Sequence, residues 1–211
     1  MAIVIVIAMT GFGLSEMWSR DNRHRSISET VNLPRPGFEM GETLRFGAPQ
    51  RLPGGRLALP LFREQDYAFG SAGKTSRDNR VNLLLLDPAS GARSWLFDGH
   101  AQLILDDRTI RLNDDTTDRA ATLGHVLTVV AADSNGDNRL TLADRQALLW
   151  AGPGYVPLQT LHSDVDQAAI DIDEADGTLF IRLTRDDGQT LALHDGKTGA
   201  VTGQFTLSVA P

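Results

Sequence analysis

Three glycine-centred turns in the last third of the chain constrain its fold more than any other feature. Glu174, Asp176 and Gly177 separate residues 168–173 from 178–184, and Asp186, Asp187 and Gly188 separate the latter from 190–194. Asp195, Gly196 and Gly199 then lead into 201–209. The segments between the turns are rich in Ile, Val, Leu, Phe and Thr, which favour strands. Asp-Gly between such segments is a hairpin signal, because glycine supplies the positive φ that the turn requires. Turns this short join only antiparallel neighbours, so four consecutive strands in a meander are predicted.

The same pattern runs back through the chain. Residues 57–62, 81–86, 95–97, 101–105, 109–112 and 125–132 read as strands, with Pro60 marking an edge or a bulge. There is also an internal repeat: LLLLDPASGARSWLF (83–97) aligns without gaps on LALHDGKTGAVTGQF (191–205). Both contain an apolar strand, an Asp, a Ser/Thr-Gly turn and a second strand ending in Phe. Residues 148–150 followed by 155–161 form a degenerate middle copy. This wording resembles the outer strands of β-propeller blades of the pyrroloquinoline-quinone-like and TolB-like kinds. The resemblance implies blade-like sheets, although any hairpin can use such a turn. Three blades fall short of the four or more that close a propeller. The expected fold is therefore all-β: antiparallel blade-like meanders in an incomplete propeller or stacked sheets, or a ring closed through an oligomer.

One stretch of this β-rich body carries a chemical signature. Residues 133–144, DSNGDNRLTLAD, place oxygen-bearing side chains at loop positions 1, 3, 5, 9 and 12: Asp133, Asn135, Asp137, Thr141 and Asp144. Arg139 at position 7 offers its backbone carbonyl. A hard cation such as Ca²⁺ takes six to eight oxygens, and a 12-residue loop with this spacing can wrap them around one point. Leu140 at position 8 is expected to pin the loop to the core. Asn138 occupies position 6, where a residue tolerant of positive φ is required. The loop resembles the EF-hand superfamily and, in its wording, the calcium loops of dockerin-like modules; the likeness covers a dozen residues of 211. Dockerins carry two such loops and only one is present, so docking is not implied. Asp144 replaces the usual Glu at position 12, a shorter arm that weakens a site. The alternative is a polar turn without metal. The entry, 125–132, reads as a strand, and the exit, 141–150, as one short helix with Leu142, Leu148 and Leu149 on a face and Gly152 and Pro153 ending it.

Residues 1–14 form an uncharged apolar run that residues 15–18 extend, followed by Arg20, Arg23 and Arg25. We read 1–18 as a membrane anchor, 19–41 as a linker or extended arm with Pro34 and Pro36, and 42–211 as the β-rich domain; a buried N-terminal strand is the alternative for 1–18. No basic n-region or small-x-small cleavage site marks a cleaved signal. The basic flank taken literally lies on the cytoplasmic side. A weak calcium loop suits the millimolar calcium outside the cytoplasm, which favours the extracytoplasmic (periplasmic) face of a bacterial membrane.

Other motifs carry less. The net charge of −7 argues against a nucleic-acid partner. With no cysteine there is neither a disulfide nor a thiolate metal site. Residues 68–75, AFGSAGKT, come within one residue of a phosphate-binding loop, but a strand follows where a helix must begin. Asp171, Asp173, Glu174 and Asp176 read as a solvated hairpin, and Asn113, Asp114, Asp115 and Asp118 as an acidic loop. His24, His100, His125, His162 and His194 show no metal-ligand spacing, and no Gly-x-Ser-x-Gly elbow is present. The expected function is a calcium-stabilised, membrane-tethered binding module whose partner is a protein or envelope component. The alternative is a hydrolase of saccharide or peptide with a structural calcium ion.

Overall fold

The computed structural model describes residues 29–36, 41–67, 74–112 and 121–208. The expected anchor at 1–18, most of the phosphate-loop-like stretch (68–73) and the acidic loop at 113–118 lie outside the described residues. Among the described residues, no helix is long and apolar enough to cross a membrane.

The protein is almost entirely β-structure. A two-residue arm strand, β1 (Val31–Asn32), precedes β2 (Gly41–Phe46), β3 (Gln50–Arg51), β4 (Leu57–Tyr67), β5 (Lys74–Leu86) and β6 (Arg93–Trp95). These form a first antiparallel sheet in the order β2-β4-β5-β6, with β3 also on β4, while β1 pairs elsewhere. Next come β7 (Leu103–Leu112), β8 (Ala121–Val130), the two-residue β9 (Arg139–Leu140), β10 (Gln146–Ala151) and β11 (Leu158–Val165). Four of them make a second sheet, β7-β8-β10-β11, while β9 pairs with β1. The last sheet is the uninterrupted meander β12 (Gln167–Ile172), β13 (Thr178–Arg185), β14 (Gly188–Asp195) and β15 (Val201–Leu207). Three blade-like meanders follow one another along the chain, as expected.

Burial explains their stacking. Ala58, Leu83 and Leu85 of the first sheet pack against Ile104, Leu127 and Leu149 of the second. Val126, Leu148 and Trp150 of the second pack against Leu179, Ile181 and Ala192 of the third. Adjacent residues of one strand, Val126 and Leu127 or Leu148 and Leu149, thus face different neighbours, as the two-residue period dictates. The middle sheet is buried on both faces. Its central strands, β8 and β10, therefore read as largely apolar runs.

That double burial overturns the helix expected at 141–150. Residues 141–144 make one turn, closed by the Asp144 amide donating to the Thr141 carbonyl at 3.1 Å, and the chain then enters β10. A short unbroken apolar run does not distinguish a helix from a central strand. Leu148 and Leu149 pack on opposite sides here.

The internal repeat falls on equivalent hairpins, β5–β6 and β14–β15. In each, the glycine amide closes the turn on the aspartate carbonyl: Gly91 on Asp87 at 2.8 Å and Gly199 on Asp195 at 2.7 Å. Gly177 repeats the device on Asp173 at 2.7 Å. All three glycines have φ of 71° to 81°, which other residues rarely adopt. The degenerate middle copy spans the corresponding hairpin, β10–β11. Pro60 lies inside β4, beside a register shift between Leu61 and Phe62, so the bulge reading applies. One of the sheets curls into a half-barrel, and on the first sheet Phe46 from one edge stacks on Trp95 from the other at 6.0 Å and 11°.

Leu127 and Ile181, both fully buried, test whether the three sheets unfold together. Leu127→Ala and Ile181→Ala are each expected to cost about 2–5 kcal/mol. In urea titrations followed by circular dichroism and tryptophan fluorescence, both variants shift one shared transition. Two separate transitions, each moved by one variant, would show that the layers are independent.

Candidate metal centre

The loop at 133–144 joins β8 to β10 and is folded on its own oxygens. Asp133 Oδ1 accepts from the amides of Gly136 at 2.7 Å and Asp137 at 3.2 Å, and its Oδ2 from Asn138 at 2.7 Å. Asn135 Oδ1 accepts from the Asp137 amide and Asp137 Oδ1 from the Arg139 amide, each at 2.9 Å. Gly136 and Asn138 adopt φ of 77° and 60°, so position 6 is left-handed as anticipated. Leu140 at position 8 is 1% exposed and packs with Val31, Val81 and Val130. Its strand β9 pairs with β1, and the Leu33 amide adds a bond to the Asn138 carbonyl at 2.9 Å. The arm at 29–36 thus straps the loop to the body.

Asp144 holds the two ends together. It is 1% exposed. Its Oδ1 accepts from the Ser134 amide at 2.8 Å and the Ser134 hydroxyl at 3.1 Å, and its Oδ2 from the Thr141 amide at 2.9 Å. Among the described residues, no Lys, Arg or His forms an ion pair with Asp133, Asp137 or Asp144. Three carboxylates on one short loop thus have no cationic side chain paired to them among the described residues. The donor chemistry fits a hard cation: five side chains with oxygen donors and the Arg139 carbonyl. The carboxylates, however, are turned onto backbone amides, and among the described residues no three acidic or histidine groups converge on one point. Binding an ion here would require Asp133, Asp137 and Asp144 to rotate away from part of this amide set.

Two clusters invisible in the sequence lie elsewhere. Asp107 of β7 is buried between the first and second sheets. Its Oδ2 accepts from Tyr155 Oη at 2.8 Å and from Arg80 of β5 at 2.9 Å. His125 of β8 stacks on the Tyr155 ring at 4.0 Å and places Nδ1 3.4 Å from Asp107 Oδ1. That contact is too poorly aligned for a hydrogen bond: Asp107 Oδ1 and His125 Nε2 are buried without hydrogen-bond partners. Burial pushes the Asp107 carboxyl up, and His125, Arg80 and Tyr155 reverse this and hold it below the ordinary range. Burial and the Asp107 charge raise the Tyr155 hydroxyl. This cluster is a polar clamp between two sheets.

The second cluster joins β11 to β14. His162 Nε2 and His194 Nε2 are 2.9 Å apart, although 32 residues separate them. His194 is fully buried, and its Nδ1 lies 2.9 Å from the Gly199 carbonyl, which can only accept. His194 therefore carries its proton on Nδ1, and His162 donates to its bare Nε2. A cleft of about 400 Å³ lies beside Asp164, Arg185, Asp186 and Asp187, where Arg145 already pairs with Asp166 at 2.8 Å and with Asp186.

Comparison with known proteins finds no matching family, no matching curated protein and no matching solved structure. The chemistry of the site must be read from its own geometry.

The histidine pair predicts a pH dependence. Burial first, then unfavourable electrostatic interaction with the neighbouring His194 and Arg185 side chains, lowers the His162 pKa from 6.5 to about 4. The unfolded chain therefore binds this proton first as pH falls. Its contribution to stability is full above about pH 6.5 and is lost progressively towards pH 4. Urea unfolding from pH 8 to 4 is expected to show a decline that His162→Gln flattens. An unchanged slope in the variant would assign the decline to other groups.

Proposed function

We propose that this chain is a calcium-stabilised binding module, tethered to a bacterial membrane through residues 1–18 with its β-rich domain on the extracytoplasmic side. The observation that carries the reading is the acidic loop at 133–144. Asp133, Asp137 and Asp144 lie on a wrapped 12-residue turn with left-handed Asn138 and anchored Leu140, and no described cation pairs with them. Asp133, Asn135, Asp137, Thr141, Asp144 and the Arg139 carbonyl would hold the ion. Bound calcium offsets the repulsion among these carboxylates and fixes the path from β8 to β10, which is a structural role. The tether rests on the apolar run 1–18 and the arginines that follow it. A protein or envelope component is the proposed partner, and the acidic charge of −7 disfavours nucleic acid.

Calcium titration of the full chain by calorimetry, with melting curves in calcium and in chelator, tests this. Saturable binding and a raised melting temperature are expected, both lost in Asp133→Ala. At a calcium concentration 100 times Kd, linkage gives about 2.7 kcal/mol of added stability. No heat and no thermal shift at millimolar calcium would reduce the stretch to an amide-closed turn. Magnesium is the control, since its octahedral demand and reluctance to dehydrate suit this loop poorly.

A further inference from the structure

The two outer faces of the three-sheet stack are both apolar, and they are of opposite kinds. On the first sheet, Leu83 and Leu85 face the middle sheet, so Leu84 and Leu86 point outward; Trp95 pairs with Leu84 and is 39% exposed. Phe46, 47% exposed, stacks on Trp95 over this surface. On the third sheet, Leu179, Ile181 and Ala192 face inward, so Phe180 and Leu193, which pair with each other, point outward. Phe205 and Leu207 extend that face and are 56% and 41% exposed. Within the stack, each sheet meets its successor through one face and its predecessor through the other. Among the described residues no further sheet covers the remaining face of the first sheet, which is of the predecessor kind, or that of the third, which is of the successor kind. They are the two halves of the contact the stack already makes twice.

We propose that a second copy of this chain covers both faces, head to tail, closing a six-bladed ring with two-fold symmetry. Three blades cannot close alone, since propellers take four to eight. A head-to-tail contact either closes a ring or grows a fibre. Size favours closure. Four strands at about 4.8 Å spacing and about seven residues at 3.3 Å give a face of roughly 440 Å². One contact buries about 900 Å², below the roughly 1,200–2,000 Å² of stable complexes, whereas the two contacts of a closed pair bury about 1,800 Å². Charge agrees with this pairing. Arg51 and Arg93 lie on the first face, opposite Leu57 and Leu86, while Asp171 and Asp195 accompany a single Arg182 on the last.

Sedimentation equilibrium of the full chain in density-matched non-ionic detergent tests the ring. The expected mass is twice 22.9 kDa, independent of concentration above Kd. Trp95→Asp and Phe205→Asp should each weaken association about tenfold or more. An equimolar mixture of the two should pair more tightly than either alone, because it restores one intact contact. Near-UV circular dichroism and melting check the variants' folding, and Phe46→Asp replaces Trp95→Asp if the latter unfolds. A wild type that stays a single chain at all soluble concentrations overturns the proposal. So does a dimer that only one variant dissolves, which means a like-to-like contact, or a mass that keeps growing, which means a fibre.

Discussion

Everything else in this fold depends on the burial of the middle sheet on both faces. Strands β8 and β10 have no solvent side: Val126 and Leu148 face the third sheet, and Leu127 and Leu149 face the first. A one-residue slip between them would exchange these two sets. It would also carry Thr128 and His125 to the wrong layers, so the register is fixed twice over. The apolar contacts from first to third sheet pass through these two strands, with Ile104 and Ile110 of β7 beside them. The loop at 133–144 is inserted between them, at the position where an added constraint acts on the whole stack.

The polar groups retained in this apolar stack define its geometry more than they add stability. The buried pair of Arg80 with Asp107 joins the first sheet to the second at 2.9 Å, and such a pair scarcely outweighs its own desolvation. It nevertheless admits only one relative placement of β5 and β7. Tyr155 adds to the constraint: it holds φ of 62°, unfavourable for a bulky residue, and is kept there by its bond to Asp107 and its stacking on His125. The His162–His194 bond and the Trp150 indole, which donates to the Gly196 carbonyl at 2.9 Å, do the same between the second and third sheets. Gly196 is there of necessity, since a Cβ would lie 2.1 Å from the Gly177 carbonyl oxygen.

How far the sequence revealed this depended on the range of the interactions. The last sheet was fully legible, because its turns are local and each Asp-Gly pair sits beside the strands it joins. The repeat at 83–97 and 191–205 located equivalent hairpins in the first and third sheets for the same reason. Residues 141–150 misled because helix and double-sided strand share one composition, and only the neighbours on either side decide. The clamp of Arg80, Asp107, His125 and Tyr155 draws its members from four separate segments, and no spacing exposes it. Its one trace is polarity out of place: Asp106 and Asp107 interrupt an apolar strand, and His125 stands in another.

The loop shows the opposite balance. Its spacing was legible, as were the left-handed Asn138 and the anchoring role of Leu140. What the sequence could not show is how its carboxylates occupy themselves. Asp144 ends up 1% exposed, bonded to Ser134 and Thr141. A carboxylate has about four acceptor sites, so one that already serves the amides at both ends of a loop has few left to offer a metal. Asp133 and Asp137 are the more exposed members, and Asp137 uses only Oδ1 within the loop. The exposed side would therefore make first contact with an ion, while Asp144 contributes by closing the loop behind it. Aspartate at position 12 then has a reason of its own: the shorter arm reaches the amides of Ser134 and Thr141 while leading into a strand, not a helix.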